Sequence, residues 1–271
     1  MSVSQNDEIK RVFFGLEISA PWPHEWPKGR VIEESSRHIT LAFLGNAPLK
    51  ELISQLDALP KPSFEIGMVG KCDQLLFLPE RHPRVAAYHV KWLEKEEALN
   101  QFQKELASWL MERRYMEEEK RPFLSHITVA RSPFDKEEWK RVFQELPVVA
   151  KALHLYESTG NLVYHSHWNY AFLPAFDEIS HTADIAFHVR GKNCSELFRH
   201  AQIALSFKFP SLLSFFSKEE KANLDEIIIA LNEIVSEADQ TLGCPFKAVS
   251  FHDKVKSDEK GILHWEMIID V

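Results

Sequence analysis

Cysteine is scarce. The 271-residue chain has three, Cys72, Cys194 and Cys244, far apart and in no C-x-x-C arrangement. That excludes a disulfide framework and a cysteine zinc site, and it suits reduced thiols in a cytoplasmic compartment. No apolar run approaches the roughly 20 residues that a membrane helix requires. The opening MSVSQNDEIKRVFFGLEISA is polar before it is apolar, which is not the order of a secretory leader. An excess of positive charge is also missing. Net charge is −8; residues 1–173 carry 22 Lys and Arg against 24 Asp and Glu, and residues 174–271 carry 10 against 16. Neither part has the composition of a protein that coats nucleic acid. A nucleotide or an RNA end held by a few local cations fits the first part, and cations or a protein partner fit the second.

Threonine is rarer than histidine, with five against 13, so chance alone places well under one His-x-Thr in the chain. There are two, both His-Ile-Thr and both inside strand-like runs: RHITLAFLG at 37–45 and SHITVAR at 125–131. Along a strand, residues two apart share a side. His38 and Thr40 therefore face one way, His126 and Thr128 do the same, and Ile39 and Ile127 point into the core. Either motif alone is most simply a strand histidine beside a good strand former. Two such strands side by side would line a groove with two imidazoles and two hydroxyls. That equipment suits metal-free cleavage of a phosphodiester: one imidazole takes a proton from the attacking group, the other gives one to the leaving oxygen, and the threonines donate to the non-bridging oxygens. Arg131 would add a charge-assisted contact, although alternation from Thr128 sends it to the far face unless the strand has ended there.

The pattern along the chain predicts α+β architecture in two parts, 1–173 and 174–271. Strands are expected at 12–18, 38–44, 64–70, 75–78, 84–90 and 125–131, and again in KALHLYES and NYAFL. Helices are expected from Pro48 at position N1, over 94–115 and over 135–146. APWPHEWPKGR reads as an ordered loop. His165 and His167 share a strand face and could hold a metal, but no carboxylate or cysteine is near in sequence, which favours an exposed edge. Residues 117–121 read as a solvated loop. After Pro174 come a strand, a polar turn and a strand, then helices capped by Asn193 and Asn223, then strands at 247–253 and 263–271.

On the motifs HITLAFLG and SHITVAR, the first part resembles the 2H phosphoesterases, in particular their RNA 2′,3′-cyclic phosphodiesterase (2′-5′ RNA ligase) branch. RVFFGLEI, RHPRVAAYHV and NYAFL add to the likeness, which covers about residues 10–173. The resemblance implies a two-lobed, pseudo-symmetric domain with antiparallel sheets and a groove between them. It implies opening of a 2′,3′-cyclic phosphate to a 2′-phosphate without a cofactor, with His38 as proton donor and His126 as acceptor. The segment 20–37 departs from the family, which usually has a helix there.

FDEISHTADIAF (176–187), LDEIIIALNEI (224–234), KAVSFHD (247–253) and the final IIDV resemble archease, a small protein that activates a GTP-dependent RNA ligase. From the residues alone, Asp184, Asp270 and the Val271 carboxylate are three hard oxygen donors that suit Ca²⁺ or Mg²⁺. The resemblance implies the same three as metal ligands, Lys247 as a functional lysine, and the ligase as a partner. Only LGCPF stands where archease has further strands. Together the two likenesses imply an RNA-end phosphodiesterase fused to a shortened archease-like domain. The alternative from another class is an RNA-end-binding accessory protein of the ligase with no hydrolysis of its own, for which two intact His-Thr pairs would be needless.

Overall fold

The computed structural model describes residues 8–118, 121–181, 184–251 and 254–271. Among these, eight strands form the first sheet: β1 (Ile9–Ser19), β2 (Arg30–Val31), β3 (His38–Pro48), β4 (Val69–Leu78), β5 (Val85–Trp92), β6 (His126–Arg131), β7 (Leu146–Gly160) and β8 (Val163–Ala171). All their pairings are antiparallel. In space they make two four-stranded lobes, β8-β7-β1-β3 and β4-β5-β6-β2. Two seams join the lobes. One is the single pair Ile39–Ile127 between β3 and β6, and the other sets Val69–Cys72 of β4 against Leu146–Val149 of β7.

The helices α1 (Leu49–Ser54), α2 (Glu96–Glu112) and α3 (Lys136–Val142) cover the outer faces. The stripe Leu99, Phe102, Leu106, Trp109 and Leu110 buries α2 in one core shared by both lobes. Asp135 caps α3 by accepting from the amides of Glu137 and Glu138. The Pro/Trp-rich segment is ordered by stacking. The buried Arg37 guanidinium packs on both the Trp22 and Trp26 rings, at 4.6 and 4.7 Å, and Trp26 packs on Trp139. This anchors the chain so that β2 can pair with β6.

Several elements differ from expectation. Pro48 ends β3 and precedes α1, instead of being its first residue, and the helix gives way to a 3₁₀ turn at Leu56–Ala58. Leu49, Leu52, Leu56 and Leu59 are buried in either helical form. The run 64–70 joins a strand only from Val69. Phe64, Ile66 and Met68 alternate inward as strand residues would, but before Val69 the run makes a lone bridge, from Ile66 to Leu173. The helix expected over 135–146 stops at Val142, because β7 starts at Leu146.

The second sheet comprises β9 (Phe176–Ile179), β10 (Ile185–Gly191), β11 (Ala248–Phe251), β12 (Lys256–Ser257) and β13 (Leu263–Asp270), in the order β11-β13-β10-β9 with β12 also on β13. α4 (Cys194–Lys208) and α5 (Leu224–Leu242) share with this sheet a core built on Phe187, Val189, Leu197, Leu231, Trp265 and Met267. Asn193 and Asn223 cap these helices through their side chains. Asn232 of α5 bonds both the amide and the carbonyl of Val249 at 2.9 Å, which satisfies the outer side of edge strand β11.

An apolar seam of Ile66, Val69 and Val149 against Ile203, Leu213 and Ile262 joins the two halves. Beside it lies a buried ionic knot. His200 bonds Glu94 at 2.8 Å, and the Lys95 ammonium meets both Glu94 and Glu196. Glu94, Glu196 and His200 are, among the described residues, one cluster of three groups able to ligate a metal. The Lys95 ammonium already supplies its countercharge.

Candidate active site

The buried Ile39–Ile127 pair sets β3 and β6 antiparallel, and that register carries His38 towards Thr128 and Thr40 towards His126. An approximate two-fold axis through this pair relates the two motifs. Each imidazole is held in the same way. His38 Nδ1 lies 2.8 Å from the Ser36 carbonyl, and His126 Nδ1 lies 2.8 Å from the Leu124 carbonyl. A carbonyl only accepts, so each Nδ1 carries the proton and each Nε2 is left for the groove.

A bulge follows each threonine. Gly15 pairs with Thr40 and Phe14 with Ala42, so Leu41 is the extra residue; Ala87 pairs with Thr128 and Ala86 with Ala130, so Val129 is extra. A bulge resets which side the next side chains take. It returns Phe43 and Arg131, each five residues after its histidine, to the groove face. Simple alternation therefore fails for Arg131, and the reason is the bulge, not an early end to the strand. His38, Thr40, Phe43, Thr128 and Arg131 line a cavity of about 140 Å³ with Arg11, Phe13, Ile32, Ser36, Ser158 and Tyr164. His126 is not part of that wall. It shares the face by alternation from Thr128 and is near enough for its charge to lower the pKa of His38.

The environments of the two histidines differ. The His38 ring packs 4.7 Å from Phe13, 4.8 Å from Tyr164 and 5.5 Å from Tyr156. Burial lowers its pKa to about 4, with smaller downward contributions from His126 and Arg131 and an opposing one from the Ser36 carbonyl. His38 is therefore neutral near pH 7. Gly15 makes room for the ring: a Cβ there would lie 3.1 Å from the Ile39 carbonyl oxygen, 3.3 Å from the Phe13 ring and 3.4 Å from His38 Cδ2. Arg131 Nε is buried and has no hydrogen-bond partner among the described residues. On the opposite wall Phe43 is 45% exposed, with the Arg11 guanidinium 5.1 Å above its ring. Arg131 and Arg11 thus bring two guanidinium groups to the same cavity, the second against the Phe43 ring.

His165 and His167 lie on edge strand β8, as expected, but β7 brings up a carboxylate that the sequence order conceals. His167 bonds Glu157 at 2.7 Å. In the second half, Asp184 and Asp270 stand one step beyond the Ile185–Ile269 pair, at one end of the sheet. Lys247 Nζ donates to a Val271 oxygen at 2.6 Å and lies 3.9 Å from Asp270. The four residues thus share a corner. Thr182, Ala183, His252 and Asp253 lie outside the described residues.

No family model matches the chain, and no curated protein is similar to it. Among solved structures it is similar to E. coli LigT in complex with 3′-AMP, at 21% identity over 61% of this chain and 99% of that one, with a TM-score of 0.43. A structure described as a phosphoesterase has 20% identity, the same coverages and a TM-score of 0.42. TT0787 of Thermus thermophilus has 18% identity over 60% of this chain and 97% of that one, with a TM-score of 0.45. Among the described residues, no helix is long and apolar enough to cross a membrane.

Proposed function

We propose that the first half hydrolyses 2′,3′-cyclic phosphates at RNA or nucleotide ends to 2′-phosphates by acid-base catalysis. This is the reaction of the phosphodiesterases its motifs resemble. One observation carries the reading: two His-Ile-Thr strands meet about a single buried pair, with both Nδ1 atoms tied back and an unpartnered arginine nitrogen beside them. Water attacks phosphorus, one Nε2 takes its proton, the bond from phosphorus to O3′ breaks, and the other imidazole protonates O3′. Thr40, Thr128 and Arg131 hold the non-bridging oxygens as charge grows on them. Phe43 offers the terminal base a stacking face.

The resemblance assigns donation to His38 and acceptance to His126. The burial of His38 favours the reverse. A neutral imidazole with Nδ1–H fixed on Ser36 presents a lone pair to water, so we assign acceptance to His38 and donation to His126. Incubation with a 2′,3′-cyclic nucleotide, with and without EDTA, tests the reaction. A 2′-phosphate product formed equally in both supports it, and no product, or product only with metal, refutes it.

For the second half we propose an archease-like role at RNA ends, with a GTP-dependent RNA ligase as partner and Ca²⁺ or Mg²⁺ at Asp184, Asp270 and Val271. The donor set is right for a hard cation. Lys247 already bonds a Val271 oxygen, so ion and ammonium compete for that atom. A 2′-phosphate end is a poor expectation for a ligase substrate. In that setting the first half opposes or proofreads ligation.

A further inference from the structure

One strand outward from each catalytic histidine the groove face carries a His–carboxylate pair, and the two pairs are arranged oppositely. In the first lobe Glu17 lies directly across from His38 in the β1–β3 register, and its carboxylate bonds His154, farther out on β7, at 2.9 Å. In the second lobe the imidazole is the inner member. His89 lies directly across from His126 in the β5–β6 register, and its Nδ1 is 2.6 Å from Asp73 on β4. Directly opposed antiparallel residues share a face with Cβ atoms about 4.5–5.5 Å apart. The core side of β5 confirms the alternation, since Tyr88 and Val90 are 1% exposed.

Asp73 reaches His89 because a bulge in β4 leaves it as the extra residue between Cys72, paired with Val90, and Gln74, paired with His89. Both side chains keep some access to water, 27% for His89 and 16% for Asp73. With Nδ1–H given to Asp73, His89 has Nε2 left for a ligand, and that atom has no hydrogen-bond partner among the described residues. Two residues along β5, on the same face, stands the exposed Lys91. Next to its histidine the first lobe thus offers a carboxylate, whereas the second offers an imidazole and then an ammonium.

We propose that His89, held by Asp73 and supplemented by Lys91, binds the phosphodiester that precedes the cyclic end of an oligoribonucleotide. This rests on the phosphodiesterase reading and narrows its substrate class from nucleotides to chains with at least one further linkage. The strand leaves the groove across the second lobe, because Glu17 repels a phosphate on the first. In this arrangement Asp73 accepts from Nδ1–H and the incoming phosphate accepts from Nε2–H.

The test compares kcat/KM for uridine 2′,3′-cyclic phosphate with that for a trinucleotide ending in the same group, using the full chain. The wild-type ratio of trinucleotide to mononucleotide should exceed about tenfold, as expected of a charge-assisted contact, and should fall as salt rises. His89→Ala and His89→Gln should bring the ratio towards one, and Asp73→Asn part of the way, with thermal melts confirming that each variant is folded. A wild-type ratio near one, or a ratio that His89→Ala and His89→Gln both leave intact, overturns the subsite while hydrolysis of the mononucleotide still supports the phosphodiesterase reading. If neither substrate is hydrolysed, that reading fails and the subsite with it.

Discussion

The two lobes present the same local backbone with different chemistry. Each has a histidine tied through Nδ1 to the carbonyl two residues before it, a threonine two residues after it, and a bulge next to that threonine. The bulge then places Phe43 in one lobe and Arg131 in the other. Aromatic rings enclose His38, whereas the neighbour across from His126 is the polar, partly buried His89. A duplicated backbone can thus hold two imidazoles alike while their surroundings differ, and enclosure among aromatic rings keeps His38 neutral. The difference teaches that the acid and the base are to be told apart by what packs on each ring.

The comparison breaks first at the histidines. His38→Ala and His126→Ala should each lower kcat by about 10²–10⁴-fold, the range for a general acid or base. Full activity in either variant would leave a single working lobe. Next comes the Phe43–Arg131 contrast. Arg131→Ala should cost about 10²-fold in kcat/KM, as loss of a charged transition-state donor does, while Phe43→Ala should act mainly on KM, by about 1–3 kcal/mol of base stacking. Equal effects on kcat from both would mean that the two positions are not specialised.

Thr40→Val and Thr128→Val should each cost about tenfold, one hydrogen bond apiece. A larger loss at one of them would show which threonine the phosphate leans on. The pH profile of kcat/KM should be bell-shaped, with its acid limb displaced below that of an ordinary imidazole because His38 resists protonation. The sign follows for stability as well. A histidine whose folded pKa is depressed loses stability as pH falls from the unfolded value towards the folded one, between 6.5 and about 4. A His38→Phe variant should lose less stability over that window, as measured by denaturant midpoints. The smallest expected effect lies in the second half, where Ca²⁺ or Mg²⁺ should raise the melting temperature of the full chain by a few degrees, and Asp184→Ala should abolish that rise.

The duplicated tripeptide made most of the groove legible, because strand alternation alone puts His38 with Thr40 and His126 with Thr128. Alternation cannot foresee the extra residue at Val129, so it sends Arg131 to the far face and gives Phe43 no place in the groove. The aromatic wall was also hidden. Phe13, Tyr156 and Tyr164 come from β1, β7 and β8, and only sheet registers far apart in sequence bring them to His38. The same holds for Asp73 and His89, whose relation to His126 depends on the β5–β6 register. Helix caps at Asn193 and Asn223 were readable because capping is local. The run 64–70 shows the opposite case, since its inward alternation is real but before Val69 it makes only an isolated bridge, from Ile66 to Leu173.

The central claim is that one imidazole takes a proton and the other gives one. A 2′,3′-cyclic substrate whose 3′ bridging oxygen is replaced by sulfur tests it most directly, because a thiolate leaves without needing a proton. Hydrolysis of this substrate and of its oxygen parent would be compared for the wild type, His38→Ala and His126→Ala. The account predicts that sulfur restores most of the rate lost in His126→Ala and little of that lost in His38→Ala. Equal restoration in both variants, or none in either, would contradict it.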